Sequence, residues 1–598
     1  MEGHYRMKKK TKRVIAAIER DNNHSWFEEL YRRNSDSLED TALFYRGNSI
    51  SYKEIFEKMR LLAGALQSVG VKKGTEIPVC LSNSPELIYL MGAASLLGAK
   101  INVFSVSFPL DYIKEIICGC DSKIGFFEDN HFERIHSAVE ASGLERYILC
   151  SLGDSLPPNT AAETVDGHEF VNFVSNVEKW TKNDARAVWF YNFMYSESTH
   201  LPVLSDIVRL EDEFSITYTS GSTNALRPKA IVQCVRSFNI MGRFHDADLM
   251  HGMSFKRIRG LAIIPPYSNT DLISCISDTL MQGAVLSMEP VYDERFFLDS
   301  LLLNRPNFVT ATRSFWITAM KRLLLEDRYR NIKLPFLLLV FAVGEELSIN
   351  EEKLLNNALR KAQAGKDFFH MPISPVYFCV AGGDCEHGSI LYRLFRAVSN
   401  YSFVAHSEKH YGMTPFDFVD IAVLDSNGKQ LGSNQVGRLV ANSPCTMKCY
   451  KNNQDATKAF FIKDSLGNTW GDMSVFGYKD KRGRVYMRNR ILENCNNTPP
   501  YKIADEILRC KSILSCEVVW IDNKCVAHVE FVPNFSGSIS NVLRKAHHYV
   551  KKRFGDAVSS ALLYRIHSGV HSFQLTRSGK RDIKALMAEG DKKAFPLQ

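Results

Sequence analysis

One stretch of the sequence combines small hydroxylated residues, a glycine and two cations in a way that suits phosphate binding. An apolar run leads into these residues, which are Thr219, Ser220, Gly221, Ser222, Thr223, Arg227 and Lys229. Small residues let backbone N–H groups converge on one point, and hydroxyls and cations add donors and charge, as polyphosphate sites require. An ordinary Ser/Thr turn is the alternative. A Walker A loop is excluded because no Gly-Lys-Ser/Thr sequence follows.

Two further segments place acidic side chains beside glycines. Gly382–Gly388 contains Asp384 and Glu386, and Trp470-Gly is followed by Asp472. An ionised carboxylate has two acceptor oxygens, which suits it to paired hydroxyls or a hard cation. The alternative in both segments is a polar turn, because Gly and Asp are common turn residues.

The pattern around these segments alternates helix and strand. Ser51 and Glu54 form a capping-box signature before a helix that Gly70 ends. Short apolar strands at Ile77–Leu81 and Ile101–Phe104 flank a buried helix over Pro85–Gly98. Strands that helices of this length separate form crossover units, so the sequence predicts an α/β fold with two largely parallel α/β subdomains.

The later part of the sequence predicts a different arrangement of strands and helices. Val419–Leu424 and Gly437–Ala441 are each followed by turn residues and predict antiparallel strands of a smaller β-barrel-like unit. The segment Cys495-Asn-Asn-Thr-Pro-Pro500 is a strong breaker, and the remainder is the right size for a small α+β domain. We therefore expect a large N-terminal domain over 1–490, a hinge over 491–500 and a mobile C-terminal domain over 501–598.

Length and charge narrow the function class. The chain has 598 residues, of which 45% are hydrophobic and 23% charged, which predicts several globular domains. The first thirteen residues hold six cations against one acid and so carry most of the net charge of +8. In the rest of the chain the numbers of positively and negatively charged residues are nearly equal, which gives no basis for nucleic-acid binding. We interpret the basic start as an arm, with docking to an anionic surface as the minor alternative.

No apolar run reaches the length of a membrane helix, and no secretion signal is recognisable, so we expect a cytoplasmic protein without a membrane span. The 14 cysteines are scattered, without a Cys-x-x-Cys pair. This spacing disfavours both a zinc site and a disulfide framework.

The string Ile216–Ile231 resembles the phosphate loop of the adenylate-forming superfamily, which comprises acyl-CoA synthetases, amino-acid adenylation domains and luciferases. The family pattern reads Tyr-Thr-Ser-Gly-Thr/Ser-Thr-Gly-x-Pro-Lys-Gly. Here Asn224 replaces the second glycine, and two extra residues separate Gly221 from Pro228. The loop is therefore expected to be longer or differently bent than usual.

The resemblance continues in order along the chain. Val343–Leu347, with Gly344 and Glu345, is similar to the adenine-side Gly-Gly-Glu segment. Trp470–Met473 is similar to Thr-Gly-Asp-Leu, and Thr576–Leu586 to Thr-x-Ser-Gly-Lys-x-Asp-x-Lys-Ala-Leu. The strings near both ends of the resemblance agree with the family, and the distances between them along the chain are those of the family. A chance match is therefore remote.

The resemblance implies roles for individual residues. Lys580 corresponds to the catalytic lysine, Asp472 to the ribose-binding aspartate and Arg490 to a nucleotide-contacting arginine near the hinge. The segment that contains Gly382, Gly383, Asp384, Cys385 and Glu386 best matches Tyr-Gly-x-Thr-Glu, with Cys385 at the threonine and Glu386 at the magnesium-associated glutamate. Gly382 then replaces the aromatic residue that stacks on adenine.

A competing match for the same motif is Tyr411–Thr414. It is rejected because Pro415 follows where the glutamate belongs, and because the strand from Val419 comes too soon.

The implied activity is ATP-dependent activation of a small carboxylic acid as an acyl-adenylate, followed by transfer to a thiol. ATP and Mg²⁺ are the implied cofactors. The thiol is expected on coenzyme A or on the phosphopantetheine of a separate acyl carrier protein, because only twelve residues follow Leu586.

Two other functions remain open: a stand-alone amino-acid or aryl-acid adenylation enzyme, and a catalytically weakened nucleotide-binding relative. The acyl pocket is expected to begin at Ile264–Asp271. Ser268 stands there where an amino-acid-activating domain has an aspartate, which disfavours an α-amino-acid substrate.

Overall fold

The computed structural model describes residues 24–156, 175–197, 202, 207–219, 227–244, 258–345, 347–367, 377–396, 419–490, 498–521 and 523–597. Several predictions concern residues outside these ranges: the basic arm at the start, positions 220–223 of the phosphate loop, the rejected motif at 411–414 and hinge positions 491–497. The side chain of Arg490 also lies outside the described part.

Strands and helices alternate along most of the chain. The strands are β1 (Thr41–Tyr45), β2 (Asn48–Ser51), β3 (Glu76–Cys80), β4 (Lys100–Val103), β5 (Ile124–Glu128), β6 (Arg146–Cys150), β7 (Ala187–Trp189), β8 (Glu213–Tyr218), β9 (Ala230–Cys234), β10 (Arg259–Ala262), β11 (Val285–Met288), β12 (Phe308–Thr312), β13 (Leu339–Val343), β14 (Tyr377–Asp384), β15 (Gly388–Arg396), β16 (Asp420–Leu424), β17 (Gly437–Asn442), β18 (Cys449–Tyr450), β19 (Phe461–Lys463), β20 (Thr469–Lys479), β21 (Val485–Arg490), β22 (Ile513–Ile521), β23 (Lys524–Phe531), β24 (Leu562–His567) and β25 (Phe595–Pro596).

The helices are α1 (Trp26–Asn34), α2 (Tyr52–Ser68), α3 (Pro85–Leu97), α4 (Leu110–Cys118), α5 (Asp129–Glu140), α6 (Val177–Asn183), α7 (Phe190–Ser196), α8 (Val235–Phe244), α9 (Asp278–Met281), α10 (Phe297–Asn304), α11 (Arg313–Leu325), α12 (Ile349–Lys361), α13 (Gln454–Phe460), α14 (Pro500–Ile507), α15 (Ile539–Ser560, kinked at Gly555) and α16 (Ile583–Glu589). A π-helix at Thr270–Ser277 precedes α9, and a 3₁₀ turn at Asp327–Tyr329 follows α11.

Two large sheets contain mainly parallel strands. The first has the order β15-β14-β13-β12-β10-β11-β1-β2 and the second β18-β9-β8-β4-β3-β5-β6-β7. Antiparallel pairs occur at their ends, as in β14–β15 and β8–β9. The prediction of an α/β fold with two parallel-rich units is confirmed.

Two smaller sheets follow. Strands β16, β17, β20 and β19 form one antiparallel sheet, with β21 paired to β20. It contains both strands predicted for the smaller β unit. Strands β22–β25 form the other sheet, which packs with α14 and α15 around a core of its own that includes Ile503 and Leu543. The domain boundaries themselves stay a prediction, because most of the hinge lies outside the described residues.

The C-terminal sheet also packs directly against helix α12 of the large domain. Leu514 on β22 belongs to the same apolar cluster as Leu354 and Leu355 on α12. Side chains at the start of α12 donate to this strand, from the Ser348 hydroxyl to the Leu514 carbonyl oxygen (2.9 Å) and from the Asn350 amide to that of Ile513 (2.6 Å). This contact determines where the chain after β24 meets the large domain.

No helix among the described residues is long and apolar enough to cross a membrane.

Candidate functional site

Parallel strands of the first large sheet end at a common edge, and a cavity of about 90 Å³ lies there. Its lining comes from the ends of β12, β13 and β14, from the segment after β10, from the end of β8 and from the chain after β24. The lining residues are Tyr218, Ile264, Pro265, Tyr267, Ser268, Thr270, Thr312, Val343, Gly344, Gly382, Gly383, Asp384, Cys385, Gly388, Ser578 and Lys580. Ligand sites in α/β folds occur at this edge, beyond the carboxyl ends of the strands.

The structure therefore brings together six of the predicted site residues from three distant parts of the sequence. They are Gly344, Gly382, Gly383, Asp384, Cys385 and Lys580. The expected acyl-pocket segment lines the same cavity through Tyr267, Ser268 and Thr270. Asp271, which follows, is fully buried in the π-helix, and burial raises the pKa of its carboxyl group well above the usual range.

A tight turn presents Lys580. The Gly579 N–H donates to the Thr576 carbonyl oxygen (2.9 Å), and the Lys580 N–H donates to the Thr576 hydroxyl (3.2 Å). Gly579 has a φ of +70°, in the left-handed region that glycine adopts at little cost. A Cβ on Gly579 would also lie 2.3 Å from the Tyr292 hydroxyl oxygen. Both the conformation and the close approach require glycine before Lys580.

Three successive backbone carbonyls of this turn accept hydrogen bonds from side chains of the large domain. The Tyr267 hydroxyl donates to Arg577 (3.3 Å), the Tyr292 hydroxyl to Ser578 (2.9 Å) and the Thr312 hydroxyl to Gly579 (3.0 Å). On the other side of Lys580, the Arg581 N–H donates to the Glu345 carboxylate (2.8 Å). The large domain thus holds the backbone on both sides of the lysine.

Gly344 leaves room for the lysine side chain. It directly follows β13 with a φ of +80°, and a Cβ at this position would lie 3.0 Å from Lys580 Cε. Thr312, at the end of the neighbouring strand β12, borders the same space. The side chain of Lys580 therefore passes over backbone with no side chain in its way.

The segment Gly382–Gly388 is the tip of the β14–β15 hairpin. Asp384 accepts from the His387 N–H (2.7 Å) and lies 2.8 Å from His387 Nδ1. Burial disfavours the His387 imidazolium, but the Asp384 carboxylate more than offsets this and raises the pKa of His387. Glu386 accepts from the Tyr450 hydroxyl (2.7 Å), and burial followed by repulsion from Asp384 raises the pKa of Glu386. The hairpin tip therefore places Asp384 in the cavity lining, with His387 as its partner, and holds the Glu386 carboxyl group two positions on against Tyr450.

Asp472 already has a partner. It is only 9% exposed, and its two carboxylate oxygens accept from Nε and Nη2 of Arg438 at 3.0 and 2.7 Å. It lies on β20 directly after Gly471, whose Cα region contacts the His387 ring. Asp472 is thus close to the hairpin tip without lining the cavity as it stands.

The described cations of the phosphate-loop string have partners that do not line the cavity. Arg227 pairs with Asp111 and with Glu115 on α4. The Lys229 ammonium lies 4.6 Å from the centre of the Tyr450 ring, and its backbone N–H donates to the Thr219 hydroxyl. Lys229 thus lies near the hairpin tip through Tyr450, which donates to Glu386, whereas Arg227 lies against α4, and neither residue lines the cavity.

Sequence reasoning did not find the residues that hold the Lys580 turn. Tyr292, Thr312 and Arg313 belong to ordinary strand-end and helix-start patterns, and no local signal marks them. Glu345 was found only as part of a glycine-rich string. The partners of Tyr292, Thr312 and Glu345 in the turn lie more than 230 positions away, and Glu517, which Arg313 contacts, lies 204 positions from it, so only the fold reveals these contacts.

Several curated relatives match part of the sequence. An acetyl-coenzyme A synthetase of Bradyrhizobium diazoefficiens is 26% identical over 224 residues, which make up 35% of this chain and 32% of that protein. An acetyl-coenzyme A synthetase of Yersinia pestis is 26% identical over 222 residues, with the same coverage of both. The chain thus matches about a third of the length of these relatives.

Solved structures match nearly the whole chain in fold. The anthranilate CoA ligase AuaEII, in complex with anthranoyl-AMP, has a TM-score of 0.71 at 14% identity and covers 95% of this chain and 97% of its own. A benzoate CoA ligase from Burkholderia xenovorans has a TM-score of 0.70 at 15% identity and covers 94% of this chain and 100% of its own.

The model of the protein family described as AMP-binding enzyme matches residues 30–371, which is more than half of the chain. This range includes both parallel-rich sheets up to α12, together with Gly344 and Glu345 at the cavity. The resemblance to the adenylate-forming superfamily is confirmed, and the chain belongs to the AMP-binding enzyme family.

Proposed function

We propose that this protein activates a carboxylic acid with ATP as an acyl-adenylate, releases pyrophosphate and passes the acyl group to a thiol. The observation that carries the proposal is the position of Lys580. Its side chain enters the cavity at the carboxyl ends of β12, β13 and β14, where it lies over Gly344.

The chemistry explains why an ammonium belongs there. A carboxylate must attack the α-phosphate of ATP, so two anions have to approach to bonding distance. A cation beside the reacting oxygens offsets this repulsion, most strongly where the negative charge grows in the transition state. A lysine suits this role because its charge sits at the end of a long, rotatable stem. In this proposal Lys580 binds the acid and the α-phosphate together.

The nucleotide would be held by the surrounding loops. Gly344, Glu345 and the hairpin residues Gly382, Gly383 and Asp384 would border adenine, and Asp472 and Arg490 would bind the ribose. The phosphates would lie against Thr219, Ser220, Gly221, Ser222, Thr223, Arg227, Lys229 and Cys385.

Mg²⁺ would accompany the phosphates and reduce their charge. The donors near the hairpin tip fit a hard cation, since Glu386 and Asp384 are neighbouring carboxylates, and burial followed by repulsion from Asp384 raises the pKa of Glu386. Glu386 is the candidate ligand. One of its oxygens is oriented by the Tyr450 hydroxyl.

The acceptor is best supported as coenzyme A. The curated relatives are acetyl-coenzyme A synthetases, and both structures described above are CoA ligases. A carrier-protein phosphopantetheine presents the same terminal thiol and is the second possibility within the proposal. An amide bond synthetase of Marinactinospora thermotolerans shares the fold, with a TM-score of 0.65 at 16% identity, so amines belong in any acceptor panel.

Exchange of radiolabelled pyrophosphate into ATP, dependent on an added carboxylic acid, tests the first step. A broad panel of small aliphatic, aromatic and amino acids is expected to contain at least one that supports exchange. Lys580→Ala should reduce that exchange at least about a hundredfold, the loss expected for several kcal/mol of charge stabilisation. Lys592→Ala, which removes an exposed lysine twelve positions on, is the matched control and should leave it unchanged.

Binding of ATP without exchange for any acid would overturn the proposal in favour of a nucleotide-binding relative. Exchange that survives Lys580→Ala would overturn the role of the lysine.

A further inference from the structure

A cluster of buried charges lies directly beside Lys580. Arg581, the next residue, donates from Nη1 to Glu517 on β22 (2.7 Å) and from Nη2 to Glu351 at the start of α12 (3.1 Å). The side chain of Arg581 is only 6% exposed. One guanidinium therefore joins the turn that carries Lys580, the C-terminal sheet and the large domain.

A second arginine completes the cluster from the large domain. Arg313, the first residue of α11, donates to both oxygens of Glu351 (2.7 and 3.0 Å) and to Glu517 (3.3 Å). Its guanidinium also lies 3.7 Å from Glu345, which accepts from the Arg581 N–H. Two guanidinium groups and three carboxylates thus alternate around one point.

The pairing of Arg313 with Glu351 favours the charged form of both groups. Glu351 is fully buried, which by itself would raise its pKa, but Arg313 and Arg581 more than offset this and lower it. The same carboxylates raise the pKa of Arg313 despite its burial. Buried ion pairs of this kind contribute little when compared with apolar packing, but removing one partner leaves a charge without its counterion and is costly.

A second interdomain ion pair lies nearby. Lys321 on α11 pairs with Glu530 on β23, and its ammonium also donates to the Ser572 hydroxyl (2.9 Å). Lys321 and Glu530 are both almost completely buried. The contact therefore anchors the C-terminal sheet along α11, at a second point away from Arg313.

We propose that Arg581, with Arg313, Glu351 and Glu517, is the positioning device that holds Lys580 in the cavity for acid activation. The inference rests on the proposed function and deepens it, since the matching family string leaves the residue after the lysine unspecified. Arg581 contacts neither the cavity nor the reacting groups in this role. It acts through the backbone of Lys580, whose neighbours on each side are tied to the large domain.

The cluster is expected to support acid activation but not the transfer of the acyl group to the thiol. Acid activation needs Lys580 in the cavity, whereas transfer from a finished acyl-adenylate to a thiol does not use its charge. Loss of Arg581 leaves Glu351 and Glu517 with only Arg313, so the excess negative charge pushes the two domains apart. Acid activation should then fall while acyl transfer persists.

The test compares the two half-reactions in the full-length protein. Arg581→Gln should lower pyrophosphate exchange at least about tenfold, because it breaks a buried charge cluster. Transfer from chemically synthesised acyl-adenylate to coenzyme A should stay within about threefold of the wild type. Arg509→Gln is the matched control, since the Arg509 side chain is 56% exposed and pairs with Glu506 within the C-terminal part.

A second variant keeps the positioning role testable if Arg581→Gln does not fold. Glu517 is 25% exposed, and Glu517→Gln leaves both arginines paired with Glu351. It should lower exchange in the same direction as Arg581→Gln, by a smaller factor, without a change in the thermal midpoint. Equal losses in both half-reactions, in variants that keep the wild-type thermal midpoint, would overturn the positioning role.

A structural readout separates this inference from the proposed function. Amide hydrogen exchange of the substrate-free protein should be slow in the peptides over 575–583 and 347–355 and faster in Arg581→Gln. This measurement needs no acid, ATP or activity. Absence of pyrophosphate exchange in the wild type would overturn the proposed function alone, whereas unchanged hydrogen exchange in a folded Arg581→Gln protein would overturn the inference.

Discussion

The hydroxyl of Tyr292 donates a hydrogen bond of 2.9 Å to the carbonyl oxygen of Ser578, across 286 positions of sequence. The Tyr292 ring also stacks on Phe315, with 4.5 Å between the ring centres. This pair of contacts places a rigid aromatic ring against the turn that carries Lys580. The fit is close, because Gly579 has no space for a side chain beside the same ring.

Tyr292→Phe removes the hydroxyl while keeping the stacked ring. One net hydrogen bond contributes about 0.5–1.5 kcal/mol, so pyrophosphate exchange should fall roughly two- to tenfold. The fall should appear in kcat for acid activation, since Tyr292 holds the turn and not the nucleotide. Tyr195→Phe, at a tyrosine that is 57% exposed, is the control. A rate equal to that of the wild type would assign the positioning to ring stacking alone.

Gly579→Ala should be far more damaging. Its φ of +70° costs an L-residue about 1–2 kcal/mol, and the new Cβ would lie 2.3 Å from the Tyr292 hydroxyl oxygen. The turn would have to leave its place, so acid activation should fall about a hundredfold or more. Pyrophosphate exchange at saturating acid and ATP is the measurement.

Gly569→Ala distinguishes the effect of backbone strain from the effect of a steric clash with Tyr292. Gly569 also has a positive φ, of +96°, but no atom lies within 4 Å of the Cβ it would gain. We expect this control to lower the thermal midpoint without the large loss of exchange. Similar losses in both variants would mean that backbone strain, and not contact with Tyr292, is decisive.

Much of the fold could be predicted because local physics specifies it. The Ser51 hydroxyl accepts from the Glu54 N–H, and Glu54 accepts from the Ser51 N–H, as the capping-box signature predicts. The continuous apolar run after Pro85 forms the buried helix α3. Helices of this length between strands are typical of crossover connections, which is why the parallel-rich sheets could be predicted.

The positioning contacts could not be predicted, because they depend on side chains that have no local pattern. Arg313 is the first residue of a helix that has no side-chain capping hydrogen bond. Its role in the charge cluster becomes visible only in the fold, where it donates to Glu517 of the C-terminal sheet. Similarly, the sequence marked Asp472 as a ribose ligand but gave no sign that Arg438 would occupy both of its oxygens. Long-range pairing of charges requires the three-dimensional arrangement.

Acidification should destabilise the C-terminal sheet through His528. Its Nδ1 lies 2.9 Å from Nε2 of His567, whose Nδ1 donates to the Ser572 carbonyl oxygen (3.0 Å). Burial, then the neighbouring His567 and Arg565, lower the pKa of His528 to about 4. Burial followed by Arg565 also lowers the pKa of His567.

The sign of the effect follows from these shifts. The folded protein keeps both rings neutral, whereas the unfolded chain binds protons below its ordinary histidine pKa of about 6.5. Stability is therefore complete above that pKa and is lost as the pH falls toward about 4. The thermal midpoint of the wild type should drop more between about pH 8 and about pH 5 than that of His528→Asn. His548→Asn, at an exposed histidine, should follow the wild type.

The ion pair of Asp472 with Arg438 gives the last prediction. If Asp472 binds the ribose hydroxyls, it must share or exchange this partner when ATP enters. Hydrogen bonds to a charged group contribute about 1.5–3 kcal/mol, so Asp472→Asn should raise KM for ATP roughly ten- to a hundredfold. The kcat should change less, since Asp472 does not contact the reacting groups. The pyrophosphate-exchange rate as a function of ATP concentration is the measurement.

Arg438→Gln distinguishes the ribose role from a structural one. The Arg438 side chain is 38% exposed, and such a pair contributes at most about 1 kcal/mol to stability. Its removal frees both oxygens of Asp472, so KM for ATP should stay the same or decrease. A rise in KM equal to that of Asp472→Asn would mean that the carboxylate serves to hold Arg438 and the β17–β20 pairing. In that case the ribose would need another acceptor at the hairpin tip, where Asp384 contributes a carboxylate to the cavity lining.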